Sequence, residues 1–479
     1  MKFFVSLFTP KLPIYYVYML QQVEYNPSKF WDWIRNLLQK NNPVSGVMTR
    51  KILVYTTRAK MLVFLSYGFL LLGAVTVLFL MAEMSLIYIL ALLAIWLIIA
   101  PLYLSLFLYC VCGFAYLAVV KPGQQKALSN ATNIFKNHKA VKIAVLGSYG
   151  KTTMKELLNT VLSEGLSTAT TPGNMNVTAS HAKFAKSLNG DEDIIIVEFG
   201  EGEPGDIARM ASMLSPDYAI ITGLAPNHLD FYPDLSAVAK DLLDIYNFVD
   251  STRVFTNSGS EMLKKYLEDD ALTFNESKML NWSTKNIKVS VDGLSFDIES
   301  AGKNIQVNSG LLGRHQIGPL MCTAVLADLL GLNKKDIESG LAKSKPYEHR
   351  MQPRLVQGAW LIDDTYNGNL EGLQAGLRLL SELDGRRKWY VTPGLVDQGS
   401  ETEKVHQLLG QSIAEASPDI VVLMENSARP TIQKSMEQNG FGGELRIEKN
   451  PLEFYGNIEH LLAVGDVVLM QNDWTDNYS

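Results

Sequence analysis

The sequence predicts an α/β fold: a doubly wound, P-loop-type central domain with a second α/β domain after it, preceded by a two-span transmembrane helical hairpin. Three observations carry this. Residues 61–82 and 84–120 contain no Asp, Glu, Lys or Arg, and only Glu83 separates them. From Val141 onward, short apolar runs alternate with helix-like stretches, as they do when parallel strands are joined by crossover helices. Between the first such run and its helix stands Gly147-Ser148-Tyr149-Gly150-Lys151-Thr152-Thr153, a glycine-rich turn of the kind that cradles phosphate.

The hairpin comes first in the chain. Each charge-free run exceeds the roughly 20 apolar residues needed to cross a bilayer. The first begins at Met61, and both are longer than a cleaved signal core of roughly 7–15 residues. Arg50, Lys51, Arg58 and Lys60 precede the pair, and Lys121, Lys126, Lys136 and Lys139 follow it. Keeping both basic flanks inside requires an even number of crossings, so two are expected, with the later domains facing the cytoplasm from a multi-pass position in the cytoplasmic membrane. Pro101 either kinks one long helix or separates two segments. Residues 1–60 form an N-terminal region whose Tyr15, Tyr16, Tyr18, Trp31 and Trp33 suit the membrane–water interface, although a soluble amphipathic helix has the same composition.

A chain of 479 residues is too long for one core, and two to four domains are expected. A net charge of −6 argues against a nucleic-acid partner, which selects for a basic face. Cys110, Cys112 and Cys322 fit no zinc spacing and imply no disulfide framework.

In the α/β part, 142–146 (KIAVL) reads as a buried strand and 152–164 as the helix after it. Glycines in the turn between them admit backbone N–H groups to phosphate oxygens. Lys151 adds a full positive charge, and the Thr152 hydroxyl is placed to reach Mg²⁺. The turn departs from the strict Walker pattern, because Val145 stands six positions before Lys151 where that pattern has glycine. The run 194–197 (IIIV) ends at Glu198, an acid at a strand edge where doubly wound folds collect ligand groups. The run 218–222 (YAIIT) leads into Pro226-Asn227-His228-Leu229-Asp230. His228 is there either a surface histidine or a metal or phosphate contact.

Several further segments, in order, carry a resemblance. They are Thr171-Pro172-Gly173-Asn174-Met175-Asn176, Glu198-Phe199-Gly200 with Pro204-Gly205-Asp206-Ile207, Ser215-Pro216-Asp217, Asn227-His228-Leu229-Asp230, Gly313-Arg314-His315, Arg350-Met351-Gln352 and Asp363-Asp364-Thr365-Tyr366-Asn367-Gly368-Asn369. With the phosphate loop, they make residues 142–410 resemble the Mur ligase family, most of all its MurF-type, D-alanyl-D-alanine-adding members. The resemblance implies an ATP-binding Mur ligase central domain over 121–345 and a Rossmann-like C-terminal domain over 346–479. Strand-like runs at 360–363, 389–392, 420–424 and 467–470 agree with it, as do helix-like stretches at 370–383, 401–416 and 431–439. The active site is expected in the cleft between the two domains.

The resemblance also implies a chemistry. A substrate carboxylate attacks the γ-phosphate of ATP, and an amine then displaces phosphate from the acyl phosphate. ATP and Mg²⁺ are the expected cofactors. Lys151 would offset phosphate charge, Thr152 and Glu198 would hold one Mg²⁺, and His228 would support a second. Lys151→Ala is expected to abolish turnover without unfolding the chain. Gly147, Ser148, Tyr149, Gly150 and Thr153 would complete the phosphate contacts. Arg350 would reach the phosphates, with an interdomain salt bridge as the alternative. Asp364, Tyr366 and Asn367 would meet the ribose and base, with Asp363 as the alternative acid. His315 would lie near the adenine or else cap a helix. Asn174 and Asn176 would hold the substrate's peptide end or else form turns.

Three departures qualify the resemblance. Leu242 stands where the family commonly carries a carbamylated lysine, and Lys240 two residues away points elsewhere on a helix. Pro319 replaces an adenine-contacting asparagine. A membrane hairpin stands in place of the usual uridine-binding domain. The expected partners are therefore a muramyl-peptide-like or other carboxylate acceptor, lipid-linked in one version, an amino acid or dipeptide as amine donor, and the membrane itself. The competing readings are a membrane-associated poly-γ-glutamate synthase-like ligase and a membrane-bound ATPase.

Overall fold

The computed structural model describes residues 11–23, 25–39, 53–80, 85–173, 175–226, 232–366, 368–396, 398 and 401–472. They fall into two compact units, 1–127 and 128–479.

The first unit is helical: α1 (Leu12–Gln22), α2 (Pro27–Gln39), α3 (Thr57–Leu80), α4 (Leu86–Ala115), a π turn (Tyr116–Val120) and α5 (Lys121–Asn137), which runs across the unit boundary. At 1.5 Å per residue, α3 and α4 are about 36 and 45 Å long, more than a hydrocarbon core of about 30 Å. Among the described residues, α3 and α4 carry the two stretches long and apolar enough to cross a membrane, Thr57–Phe79 and Ile98–Asn137, the second running on through α5. Their outer faces leave Phe64, Leu71, Phe79 and Ile87 exposed. Pro101 lies inside α4 without ending it. On that helix Ala100, Leu104, Leu108 and Cys112, four residues apart, form one buried stripe. Leu12, Tyr16, Leu20, Phe30 and Ile34 of α1 and α2 join the same cluster, and the Tyr16 hydroxyl donates to the Pro101 carbonyl at 3.1 Å.

The second unit contains two sheets. The first is built from β1 (Val141–Leu146), α6 (Lys151–Leu162), β2 (Thr168–Thr170), α7 (Thr178–Ala185), β3 (Ile194–Glu198), α8 (Asp206–Leu214), β4 (Tyr218–Ile221), α9 (Leu235–Leu243), β5 (Val254–Asn257), α10 (Glu261–Lys264), β6 (Thr273–Phe274), β7 (Lys278–Met279), β8 (Trp282–Ser290), β9 (Gly293–Ser300) and β10 (Lys303–Ser309). Its order is β10-β9-β8-β7-β6-β5-β4-β1-β3-β2. The half from β2 to β6 is parallel and the half from β6 to β10 antiparallel. Apolar runs with alternating helices account for the parallel half. The antiparallel arm alternates buried and exposed residues along β9 and β10, which marks a sheet with one wet face. Helices α11 (Ile317–Leu329) and α12 (Lys334–Lys343) follow, and α11 lies almost wholly inside the core with Ile143, Leu158, Ile220 and Phe296.

The second sheet has the order β11-β12-β16-β13-β14-β15, from β11 (Gln352–Val356), β12 (Ala359–Asp364), α13 (Leu370–Glu382), β13 (Lys388–Thr392), α14 (Thr402–Ala416), β14 (Ile420–Met424), α15 (Arg429–Gln438), β15 (Glu444–Glu448), α16 (Pro451–Leu461) and β16 (Val467–Gln471). Only β11 is antiparallel. The four strands expected from sequence are present, while β11, β15 and α16 are additions, their charged or proline-started stretches giving weaker periodicity. In the first sheet the strand order reverses at β1, which lies between β3 and β4. Such a reversal opens a crevice at the carboxyl ends of the strands, the place where this fold binds ligands.

Candidate active site

The loop after β1 opens into that crevice. Gly147 has φ +135° and Gly150 φ +74°, backbone shapes that L side chains rarely adopt. A Cβ on Gly147 would also fall 2.4 Å from the Thr222 hydroxyl, so the loop can pass over β4 only with glycine there. Thr222 then holds the loop from below, its hydroxyl donating to the Leu146 carbonyl at 3.1 Å and to that of Tyr149, while the Ser148 N–H donates to the Gly223 carbonyl at 2.8 Å. Gly150 ends the turn, and α6 begins at Lys151. The first N–H groups of that helix lack partners within it and face the loop's concave side, which suits an anion.

Lys151, Thr152 and Glu198 meet here. The Thr152 hydroxyl donates to Glu198 Oε2 at 3.0 Å, and Asn176 Nδ2 donates to Glu198 Oε1 at 3.2 Å. Asn176 therefore sits on the acidic side of the site. The Lys151 ammonium donates to the Gly147 carbonyl and to Glu201 Oε2 at 2.8 Å. Glu201 is 2% exposed. Lys151→Ala would leave this buried carboxylate unpaired, so the substitution carries a stability cost beside its expected effect on turnover.

Beneath this layer lies one that sequence reading missed. Lys155, one turn along α6, is fully buried. Its ammonium donates to the Thr171 carbonyl at 2.8 Å and to that of Gly173, with Glu156 at 3.1 Å and Glu198 Oε2 at 3.7 Å. His181, also fully buried, hydrogen-bonds the Glu198 carbonyl through Nε2 at 2.8 Å, and burial pushes its pKa down to about 4. The ring is therefore neutral and donates from Nε2. A lysine between the buried residues Met154 and Leu158 was the available signal, since an apolar helix face takes a charge only if a partner awaits it.

The second sheet supplies the opposite wall. Residues of both sheets, namely Tyr149, Gly150, Thr153, His315, Arg350, Asp364 and Tyr366, line one cavity of about 110 Å³. Arg350 stacks on the Tyr366 ring at 4.4 Å, which spreads its charge over a flat face. Asp364 accepts from the Met351 N–H at 3.2 Å and from Gln471 Nε2 at 2.8 Å. Burial raises its pKa to about 6 against the opposing pull of Gln471 and Arg350. Asp363 faces away, held by His349 Nδ1 at 2.9 Å and the Thr365 hydroxyl at 2.7 Å, so of the two acids Asp364 meets the cavity.

A second cavity, of about 640 Å³, adjoins the first and is lined by Phe274, Asn275, His315, Pro319, Glu371 and Arg378 among others. His315 lines both, and Gly313 before it has φ +85° and lies too close to the His315 ring for any Cβ. Between the cavities the Tyr149 hydroxyl donates to Glu371 of α13, which also accepts from the Ser260 hydroxyl at 3.0 Å and the Met262 N–H at 3.3 Å.

Leu242 is fully buried in the core and Lys240 exposed on α9, so neither brings an amine to the Glu198 side. Asn174, His228 and Asn367 lie outside the described residues. Among the described residues no group of three His, Cys, Asp or Glu side chains gathers around one point. The Thr152 hydroxyl and Glu198 carboxylate nonetheless make a pair of hard oxygen donors beside the phosphate loop, which fits Mg²⁺ bound through one or two protein oxygens and substrate phosphate.

Comparison with known proteins agrees with this geometry. Residues 145–327 match the model of the Mur ligase middle domain. The chain is 27% identical over 294 residues to UDP-N-acetylmuramoyl-tripeptide--D-alanyl-D-alanine ligase of Escherichia coli, covering 58% of this chain and 63% of the relative. It is 28% identical over 291 residues to the Synechocystis protein of the same name, covering 59% and 62%. The chain thus spans a little under two thirds of the length of these curated relatives. Among solved structures, MurF from Acinetobacter baumannii superposes with a TM-score of 0.63 at 19% identity, covering 73% of this chain and 77% of the other. MurF ligase from Thermotoga maritima in complex with ADP gives 0.62 at 22%, covering 73% and 80%. Segment 145–327 thus matches the Mur ligase middle domain, and the chain is similar to MurF-type ligases in sequence over 294 residues and in fold.

Proposed function

We propose that the chain is an ATP-dependent carboxylate–amine ligase that extends a muramyl-peptide-like acceptor by an amino acid or a D-Ala-D-Ala dipeptide, working at the cytoplasmic face of a membrane in which α3 and α4 are embedded. The observation that carries this reading is the cavity in which Tyr149, Gly150 and Thr153 of the glycine-rich loop face Arg350, Asp364 and Tyr366, with Thr152 of the same loop bonded to Glu198. A triphosphate laid along the loop has its β- and γ-phosphates at the α6 N-terminus, with Lys151 drawn onto them. Its ribose hydroxyls are within the reach of Asp364, and Arg350 is free to leave the Tyr366 face for phosphate. Bound between Thr152, Glu198 and phosphate, Mg²⁺ would supply charge neutralisation for the transferring group.

The acceptor carboxylate would enter from the Asn176 side, where the side-chain amide, bonded to Glu198, would orient it. The oxygen of the carboxylate bonds to phosphorus as ADP leaves. The amine then adds to the acyl carbon, loses a proton and expels phosphate. Removal of one electrostatic contact in such a site typically lowers rate by about 10²–10³. The names borne by the relatives above favour a cell-wall acceptor over a glutamate polymer, and the exposed apolar faces of α3 and α4 support a membrane position.

Mass spectrometry tests the proposal. The full chain in detergent or vesicles is incubated with ATP, Mg²⁺, D-Ala-D-Ala and either uridine-linked or lipid-linked muramyl peptide. A mass gain of one dipeptide on one carrier identifies that carrier. Phosphate release with glutamate polymers and with neither muramyl peptide sinks the cell-wall reading.

A further inference from the structure

Glu201 has no part in the chemistry derived so far, yet it is the residue that holds Lys151. It follows β3 by three positions, and the intervening loop is pinned at each step. The Phe199 N–H donates to the Val145 carbonyl at 2.8 Å and the Gly200 N–H to the Asn176 carbonyl at 2.8 Å. A Cβ on Gly200 would lie 2.9 Å from the Asn176 side chain. The Glu201 carboxylate is therefore delivered to the phosphate loop by fixed backbone. One of its oxygens takes Lys151 at 2.8 Å, and the other, Oε1, is buried with no hydrogen-bond partner among the described residues. A buried carboxylate oxygen without a donor is costly and calls for a ligand.

Charge balance points to the class of ligand. Lys151 and Lys155 offset Glu201 and Glu198, so these four charges cancel. When Lys151 turns to phosphate, Glu201 is left 2% exposed and uncompensated. Lys155 cannot replace the lost cation, since Glu198, Glu156 and two carbonyls already hold it. Leu242 and the exposed Lys240 leave α9 with no anionic donor derived from lysine beside Glu198.

We propose that Glu201 is a cation-binding carboxylate of the phosphate-loop site, paired with Lys151 until nucleotide phosphate draws the lysine away and then taken over by a divalent cation. Its open oxygen Oε1 is the first donor, and phosphate and water complete an oxygen shell of the kind Mg²⁺ and Mn²⁺ accept. The inference rests on the nucleotide reading for the phosphate that moves Lys151.

The experiment uses Mn²⁺ as probe and the full chain in detergent, with free Mn²⁺ read by electron paramagnetic resonance. Without nucleotide, Lys151→Met should bind Mn²⁺ about tenfold or more tightly than wild type, since it uncovers Glu201, and Lys151→Met with Glu201→Gln should lose that gain. With β,γ-methylene-ATP present, Glu201→Gln should weaken Mn²⁺ binding by about 10–100-fold, and Glu201→Asp should recover most of it. Thermal melts confirm that each variant is folded. Equal Mn²⁺ affinity in Lys151→Met and the double variant overturns the proposal, as does a Glu201→Asp protein that behaves like Glu201→Gln. A wild type that fails to bind the ATP analogue with Mn²⁺ overturns the nucleotide reading instead, and the nucleotide-free comparison still decides the role of Glu201.

Discussion

Lys155→Met tests the layer under the active site. Methionine keeps the length of the buried stem while removing the ammonium, so packing beside Met154 and Leu158 is nearly conserved and the loss is electrostatic. The ammonium serves Glu198 at 3.7 Å, Glu156 at 3.1 Å and the carbonyls of Thr171 and Gly173. Glu156 is partly exposed and water can take over there. Glu198 is 1% exposed and keeps only the neutral donors Thr152 and Asn176. Removing one partner of a buried pair costs about 3–5 kcal/mol. For a unit of this size that corresponds to a melting temperature lower by about 4–7 °C. The assay is a thermal melt of the full chain in detergent, with Lys183→Met on the exposed side of α7 as control. Mg²⁺ should restore part of the loss in Lys155→Met and none in the control, because a cation at Glu198 substitutes for the missing ammonium. A melt within about 2 °C of wild type, or one indifferent to Mg²⁺, would show that Lys155 does not neutralise Glu198.

Four other outcomes follow from the same geometry. Lys151→Ala should lower ligase turnover by about 10²–10³ and also melt below wild type, while Lys151→Met with Glu201→Gln should recover the melt and not the turnover. Tyr149→Phe removes one donor from Glu371 and leaves Ser260 and the Met262 N–H in place, so the unfolding free energy from a urea titration should fall by only about 0.5–1.5 kcal/mol. His181 has its folded pKa pushed down to about 4 from the usual 6.5, so its contribution is present above pH 6.5 and is lost as pH falls toward 4. That displacement corresponds to about 3 kcal/mol, and His181→Gln should flatten the acid limb of a urea-midpoint profile. Asp364 has its pKa raised to about 6, so it favours folding below the ordinary carboxylate range and gives that contribution up as pH rises through 6. Nucleotide affinity should run the other way, weakening below pH 6 as the carboxylate protonates, and Asp364→Asn should remove that dependence in a titration of ADP.

The two readings of the chain differ in kind. Apolar period and turn chemistry located β1, β3, β4 and the loop at Gly147, because those features act within a few residues of sequence. Order and spacing of short motifs brought Arg350 and Asp364 to the same site, although they lie two hundred residues from Lys151. What stayed hidden depends on contacts across the fold. Glu201 in isolation is one acid among three in Glu201-Gly202-Glu203-Pro204-Gly205-Asp206, and nothing local distinguishes the buried one. Lys155 reads as an ordinary helix lysine until β3 is set beside α6. Adjacency alone does not distinguish Asp363 from Asp364, whereas in the fold His349 engages the first and the second lines the cavity. The antiparallel arm β7 to β10 was missed because its strands are polar on one side and joined by short turns, so no crossover helix announces them.

Tyr149 belongs at once to the loop that would carry phosphate and to the contact with Glu371 on α13. Any ligand that prefers the loop with Tyr149 in this position therefore also prefers α13 in its present place, and linkage makes the preference mutual. Whatever factor nucleotide contributes to holding the C-terminal domain against the loop, an acceptor or amine that steadies that domain must return to nucleotide affinity, with the Tyr149 hydroxyl as one measurable carrier of the exchange. Ordered binding in this chain would then need no separate regulatory site.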